Sequence, residues 1–577
     1  QQNFGNLNSA ILASNEKPLD FDGVLSEVGD YGKYQIMMFF IICLPASIPS
    51  AFSAFNTPFV TGMPPHWCKV PEGRSDLLPI GVFYRQCFQY DQEKVDEVRN
   101  ISSAPFDPFF TNIPMIRCKE WEFDNSTYIE TIVTTFNLFC DNAWWVEFST
   151  TIFYVGSFIG NILYGYIADK FGRRFSFFLI LGNLFLCGTA NAFAWNVESF
   201  VILRFLTGLP FPALFQIPFI ISMELMGMSG RIFSGLMIAM FFALAMVLLG
   251  VVAMFIRPWR QLTFWCNAPF AILFCYHFFL PESPRWLVSV GKFDDAKKTL
   301  KSIASMNKKD VSVDDLIYKL RSSRRSSVVA DDVNRHNVLD LFRTPNLRKK
   351  TILVSYIWVM NAIIYNGLTL NVSNLPVDDY VSFIINGASE LPAFFIAWPL
   401  LDFIGRRWSL ASCMIVCGIG CVSAMLVPNP EDHPWVIATM SFVGKFGVGA
   451  GFAIIYIFAG ELYPTVVRAI GMGMSSMVAG SGLLLAPHLV ALGSYSRILP
   501  LILMGVMALS AGIATFFLPE TLGAPLPQTL EDAENFALSG KKHPGLFTGL
   551  TEEQKRECKR VSDCSIIPRS VSKDASM

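Results

Sequence analysis

Charged residues make up only 16% of this 577-residue chain, against roughly a quarter in soluble globular proteins. Such scarcity excludes an ordinary water-facing surface. The formal net charge of −1 leaves no electrostatic hold on nucleic acid or an acidic partner. Histidine is scarce as well. Six scattered residues form no metal-ligand cluster, and no glycine-rich nucleotide loop is present, so no cofactor, metal or enzymatic step is expected. Residues 1–30 lack the basic start and apolar run of a cleavable signal, so the first apolar span is expected to act as its own insertion signal.

What the chain does have is apolar length. Hydrophobic residues reach 52%, including 52 Phe, and runs such as 233–256 carry no charge. About 20 such residues cross a bilayer as a helix. Spans are expected at 36–57, 147–168, 175–195, 199–223, 232–256 and 262–280, then at 350–370, 379–401, 407–427, 434–458, 467–490 and 497–517. The fold class is therefore an all-α membrane protein of twelve helices. Residues 1–35 would be an N-terminal segment, 36–280 one six-helix half, 281–349 a hydrophilic linker, 350–518 a second half and 519–577 a tail. In the linker, Asp294–Met306 is expected to be helical. Sixteen Lys and Arg lie between 281 and 350. With Lys170, Arg173, Arg174, Arg406 and Arg407 they place the linker and both termini in the cytoplasm, against which Arg257 and Arg260 are a local exception.

Residues 58–146 then face outside. They hold Cys68, Cys87, Cys118 and Cys140, which suggest two disulfides with three pairings open. They also hold sequons at Asn100 and Asn125, expected to be glycosylated; a third, at Asn371, adjoins a span and is expected to go unused. The other cysteines lie in apolar surroundings or in the tail.

The halves repeat. Gly165-Tyr-Ile-Ala-Asp169-Lys-Phe-Gly172-Arg173-Arg174 corresponds to Asp402-Phe-Ile-Gly405-Arg406-Arg407. Glu224 and Arg231 correspond to Glu461 and Arg468, and Pro281-Glu282-Ser283 to Pro519-Glu520-Thr521. The offsets are 233, 237 and 238 residues, too similar for chance. Carboxylate and guanidinium groups in such turns can pair with each other and with helix ends. Asp169, Arg173, Arg174, Glu224, Arg231, Glu282, Asp402, Arg406, Arg407, Glu461, Arg468 and Glu520 are therefore candidate elements of a conformational switch.

These motifs resemble the major facilitator superfamily, although Trp398 stands where the second signature copy would begin with Gly. More narrowly, the chain resembles the organic cation, zwitterion and anion transporter family. The likeness rests on the Cys-bearing loop, Pro281-Glu-Ser-Pro-Arg-Trp-Leu287, Leu370-Asn-Val-Ser-Asn-Leu375, Glu461-Leu-Tyr-Pro-Thr-Val-Val-Arg468 and Leu518-Pro-Glu-Thr-Leu-Gly-Ala-Pro-Leu-Pro527. It implies movement of small organic ions across the plasma membrane by alternating access around a midplane site.

Ionisable residues inside spans are the best pointers to that site, because each is costly in hydrocarbon without a cavity or partner. Arg204 is expected near the outer interface, snorkelling; Lys445 lies a third of the way into its span. Glu390 is central, with no Lys or Arg within one turn, and would supply the counter-charge for a cationic head. Tyr365 and Trp358, seven residues apart on one helix face, and Tyr154 would flank it, since aromatic faces attract amines by roughly 0.5–2 kcal/mol per contact. Gln216, in a Pro-interrupted span, is a weaker candidate. The resemblance pulls two ways: Glu390 with Phe394 fits the cation branch, whereas Gly480 stands where cation carriers of the family commonly have Asp. An anion carrier using Lys445 and Arg204, and a receptor on the same fold, are the alternatives. Arg324-Arg-Ser-Ser327 matches a kinase site.

Overall fold

The computed structural model describes residues 21–535 apart from 30, 72–73, 75–76, 80–81, 102–112, 322–336, 430–431, 465, 523–526 and 528. The kinase-type sequence at 324–327, Ser102 of the first sequon and the tail from 536 lie outside the described residues.

A helical rod stands at each of the twelve expected places. They are α1 (Lys33–Val60), α2 (Trp144–Phe171), α3 (173–191), α4 (Val197–Leu225), α5 (Met228–Phe255), α6 (259–278), α7 (Pro345–Leu370), α8 (Asp379–Phe403), α9 (Arg406–Ser423), α10 (Pro434–Leu462), α11 (Ile470–Ser494) and α12 (Leu499–Thr515). Among the described residues, nine helices are long and apolar enough to cross a membrane. The other three rods each depart from a regular apolar helix. Rod α3 opens on Arg173 and Arg174 and takes a π turn at Leu184–Gly188, α6 tightens to 3-10 geometry over Ala268–Phe278, and α12 has 17 residues. In α4 regular helix stops at Gly208 and resumes at Phe211, where Pro210 cannot donate the backbone hydrogen bond that would continue it.

Between α6 and α7 the expected helix runs over Phe293–Met306. Two further helices, Phe21–Val28 and 313–321, were not foreseen. The first buries Phe21, Val24, Leu25 and Val28 in a cluster with Ala296, Leu300 and Ile303. Its i, i+3, i+4, i+7 spacing was a readable signal, hidden within a polar segment.

The segment between α1 and α2 carries two small antiparallel sheets. Strand β1 (His66–Cys68) pairs with β4 (Trp121–Phe123), and β2 (Phe88–Tyr90) with β3 (Met115–Arg117). The disulfides join Cys68 to Cys118 and Cys87 to Cys140, which decides among the three pairings. Asn125 is exposed on the turn after β4, whereas Asn371 is fully buried, as its place beside a span implies. Asn100 lies in the helix Gln92–Ile101.

This subdomain touches both halves. Arg257 donates to the Ser126 carbonyl at 3.0 Å, and the Trp259 backbone N–H and indole donate to Glu130 O (3.1 Å) and Thr135 Oγ1 (2.9 Å). Toward the second half, Tyr128 donates to the Asp379 carboxylate, and Tyr380 to Thr127 O at 3.4 Å. Burial, and then the neighbouring Asp379 charge, raise the Tyr128 phenol well above its usual pKa, so it remains a donor. Beneath, Phe59 of α1 stacks on Tyr380 of α8 at 5.1 Å and meets Phe383 at 4.9 Å, edge-on. At the disulfide-bearing face, aromatic packing thus joins α1 of the first half to α8 of the second.

At the opposite face the duplicated motifs form two matching anchors. Glu282, beyond α6, accepts from the backbone N–H groups of Arg173 (2.8 Å) and Arg174 (3.2 Å), the unsatisfied donors that open α3. Glu520, beyond α12, does the same for Arg406 (2.8 Å) and Arg407 (3.2 Å) of α9. Arg173 then reaches Glu224 at 3.2 Å, and Arg406 reaches Glu461 at 3.1 Å. Each network stays within its own half, tying helix ends together. The copies differ at their aspartates. Asp169 pairs with Arg173 at 2.9 Å, whereas Asp402 is exposed and makes no ion pair among the described residues. Arg468 donates to the Tyr463 carbonyl (3.3 Å), and the Arg231 side chain lies outside the described atoms.

Glycine is required at both turns. Gly172 and Gly405 have φ of +106° and +95°, and a Cβ on either would run into the anchoring carboxylate. Gly405→Ala is therefore expected to cost more than about 1 kcal/mol from backbone strain alone. Thermal unfolding of the detergent-solubilised protein should show a lower midpoint, and an unchanged midpoint would show that Glu520 does not anchor α9.

Candidate functional site

Four polar side chains meet inside the second half, contributed by three helices. Glu390 projects from α8, Lys445 from α10, and Tyr365 and Thr369 from successive turns of α7. Glu390 and Lys445 are both fully buried, and Lys445 Nζ lies 2.9 Å from Glu390 Oε1. Glu390, expected as the counter-charge for a cationic head and without a cation nearby in sequence, thus has a fixed partner from another helix. A carboxylate and an ammonium, each prohibitive alone in hydrocarbon, cancel here.

The ammonium is not aimed at the carboxylate alone. It donates to Thr369 Oγ1 at 2.6 Å and to the Tyr365 carbonyl at 3.3 Å, while Glu390 Oε1 receives no directed hydrogen bond among the described residues. It also sits 3.2 Å from the centroid of the Tyr365 ring. The Tyr365 hydroxyl donates to the other carboxylate oxygen, Glu390 Oε2, at 3.0 Å. One tyrosine therefore offers its face to the cation and its O–H to the anion.

Close packing of α10 makes the site compact. A Cβ at Gly447 would meet the Cys413 carbonyl and Cys417 backbone of α9 at 2.6 and 2.8 Å, and one at Gly449 would meet Glu390 Cγ at 3.3 Å. Three turns of α10 bring Lys445, Gly449, Phe452 and Tyr456 to one face, by their spacing of four, three and four. Phe452 lies 5.4 Å from Tyr365, Tyr456 lies 5.5 Å from Phe452, and Trp358 lies 4.9 Å from Tyr456. Tyr365 and Trp358 are thus linked through two aromatics that sequence reasoning passed over. Trp358 is buried, and its indole N–H finds no hydrogen-bond acceptor among the described residues.

The first half contributes from across the interface. Phe55 of α1 lies 6.5 Å from Tyr365, and Tyr154 of α2 donates to Asn366 of α7 at 3.3 Å. Gln216 is half-buried on α4, and no polar contact among the described residues joins it to the cluster. Gly480 of α11 faces α2, where an added Cβ would meet Phe158 at 3.6 Å.

Arg204 overturns its expectation. It does not snorkel but is buried, 1% exposed. Its guanidinium donates to Asn56 Oδ1 at 3.3 Å and to Thr57, between the rings of Phe153 (5.0 Å) and Phe200 (5.8 Å). Among the described residues no carboxylate lies within ion-pair distance, so neutral dipoles and aromatic faces hold this charge. Of the buried cations Arg204 and Lys445, Lys445 is the one paired with an anion among the described residues.

Opposite buried charges should be interdependent. Lys445→Met is expected to lose about 3–5 kcal/mol by stranding Glu390, and the double variant with Glu390→Gln to recover most of it. A double-mutant cycle on thermal stability tests this; additive losses would dissolve the pair.

A family model described as sugar (and other) transporter matches residues 106–532. The chain is 64% identical over 560 residues to organic cation transporter 1 of Caenorhabditis elegans, covering 96% of this chain and 95% of that one. It is 36% identical over 552 residues to the beta-alanine transporter of Drosophila melanogaster, covering 90% of each. With human organic cation/carnitine transporter 2 it shares 33% over 542 residues, covering 91% and 95%. Among solved structures, the partially occluded inward-open xylose transporter of E. coli superposes with a TM-score of 0.57 at 16% identity, covering 84% of this chain and 98% of that one.

Proposed function

The chain belongs to the sugar (and other) transporter family, and within it to the organic cation, zwitterion and anion transporters of the major facilitator superfamily, and from there we propose that it carries small organic cations or zwitterions across the plasma membrane by alternating access. The observation that carries this reading is the buried Glu390 carboxylate, flanked by Tyr365 and lined onward by Phe452, Tyr456 and Trp358. An anion supplies the counter-charge for an amine, and the aromatic faces take its alkyl or quaternary part. The names of the relatives, which specify organic cations, beta-alanine and carnitine, support the same class.

The anion alternative is the weaker one. Arg204 is enclosed by Asn56, Thr57 and two phenylalanine rings, and because Lys445 and Glu390 occupy each other equally, it is the relatives' names that favour a cation or zwitterion. In the cycle, the Phe59–Tyr380–Phe383 seal closes one end of the path, and the anchors at Glu282 and Glu520 let each half move as a unit.

Uptake of labelled amine, carboxylate and zwitterion panels by cells expressing the chain tests the proposal. Amines or zwitterions should accumulate, and Glu390→Gln should lower apparent affinity for a cation roughly 10- to 100-fold, the loss of one charge-assisted contact. Transport of carboxylates alone, or of nothing, would overturn it.

Orientation has its own test. With the disulfide-bearing subdomain outside and both termini in the cytoplasm, the exposed turn at Asn125 would be glycosylated. Glycosidase should shift the mobility of the wild type, and Asn100→Gln with Asn125→Gln should abolish the shift. No shift in glycosylating cells would reverse the topology.

A further inference from the structure

The ammonium of Lys445 is surrounded as a bound amine would be. It has a carboxylate oxygen at 2.9 Å, a hydroxyl at 2.6 Å, a carbonyl at 3.3 Å and a tyrosine face at 3.2 Å. A cationic substrate seeking Glu390 would find this place taken. Its occupant, however, is tethered through a flexible four-carbon stem. The backbone of α10 is held close to α9 at Gly447, so any displacement of the ammonium has to come from the side chain.

The charge balance limits what can displace it. Glu390 and Lys445 together are neutral and fully buried. A simple monocation entering beside them would leave one uncompensated positive charge in a low-dielectric site. A zwitterion would not, because its carboxylate can accept the ammonium that its own amine has displaced. Two short ion pairs then replace one, and the site stays neutral.

We propose that Lys445 is a built-in occupant of the cation subsite, that the substrate's ammonium replaces it against Glu390 and Tyr365, and that the released Lys445 ammonium takes the substrate's carboxylate. The proposal rests on the reading of Glu390 as the cation-binding residue and narrows the substrate class to zwitterions. Lys445 then determines specificity, for it distinguishes a zwitterion from a cation of the same shape.

The test uses 4-(trimethylammonio)butanoate and its methyl ester, which differ in the carboxylate and share the cationic head. Each competes with labelled 4-(trimethylammonio)butanoate for uptake by cells expressing the full chain. In the wild type the acid should inhibit at roughly tenfold lower concentration than the ester or better, the size of one ion pair read as an affinity ratio. In Lys445→Met the order should invert, the ester gaining and the acid losing, while Lys445→Arg keeps the wild-type order. Surface biotinylation normalises each variant, and the wild-type comparison decides the matter if Lys445→Met does not reach the surface. Equal inhibition by acid and ester, in a wild type that does carry cations, would overturn the displacement and leave the carrier reading intact. A wild type that carries no member of the amine or zwitterion panel would overturn both.

Discussion

A charge buried away from water must be answered where it stands, and the Glu390–Lys445 pair is this constraint met at the centre of the second half. Three helices are committed to it. Rod α8 brings the anion, α10 the cation, and α7 the tyrosine that touches both. The close approach of α10 to α9 and α8, through Gly447 and Gly449, makes these short contacts attainable. A bulkier α10 would separate the partners, and each would then bear its own desolvation cost. Local stability and the proposed recognition of substrate thus draw on the same few atoms.

The first half answers the same problem differently. Arg204 is surrounded by an amide, a hydroxyl and two aromatic rings, with no carboxylate within reach among the described residues. Two halves that share anchors at their helix ends therefore differ in their buried charges. The anchors at Glu282 and Glu520 are nearly superposable in chemistry, since each holds the first two N–H groups of a helix behind a left-handed glycine. Duplication preserved what builds a half and released what fills its interior.

How much was legible in the sequence follows from how local each signal is. Span positions, the two Gly-Arg-Arg turns and the helix at Phe293–Met306 are written in consecutive residues. Pairings are not. Lys445 is 55 positions from Glu390, and nothing in either segment says which faces of α8 and α10 meet. Phe452 and Tyr456 went unnoticed because, among 52 Phe and 16 Tyr, an aromatic at helical spacing carries little information until its neighbours are known. Arg204 was misplaced for a different reason. Its helix begins at Val197, which puts it about 10 Å along the rod and too deep for its stem to regain the surface.

The disulfide-bearing subdomain straddles the line along which the halves must part. Its segment 126–135 grips the first half through Arg257 and Trp259 and the second through Asp379 and Tyr380. One of those grips has to let go whenever the aromatic seal beneath it opens. The crosslinks Cys68–Cys118 and Cys87–Cys140 hold the small sheets together whichever grip is released. A binding protein that clamped this subdomain onto the start of α8 would hold the two halves together while leaving the buried ion pair untouched.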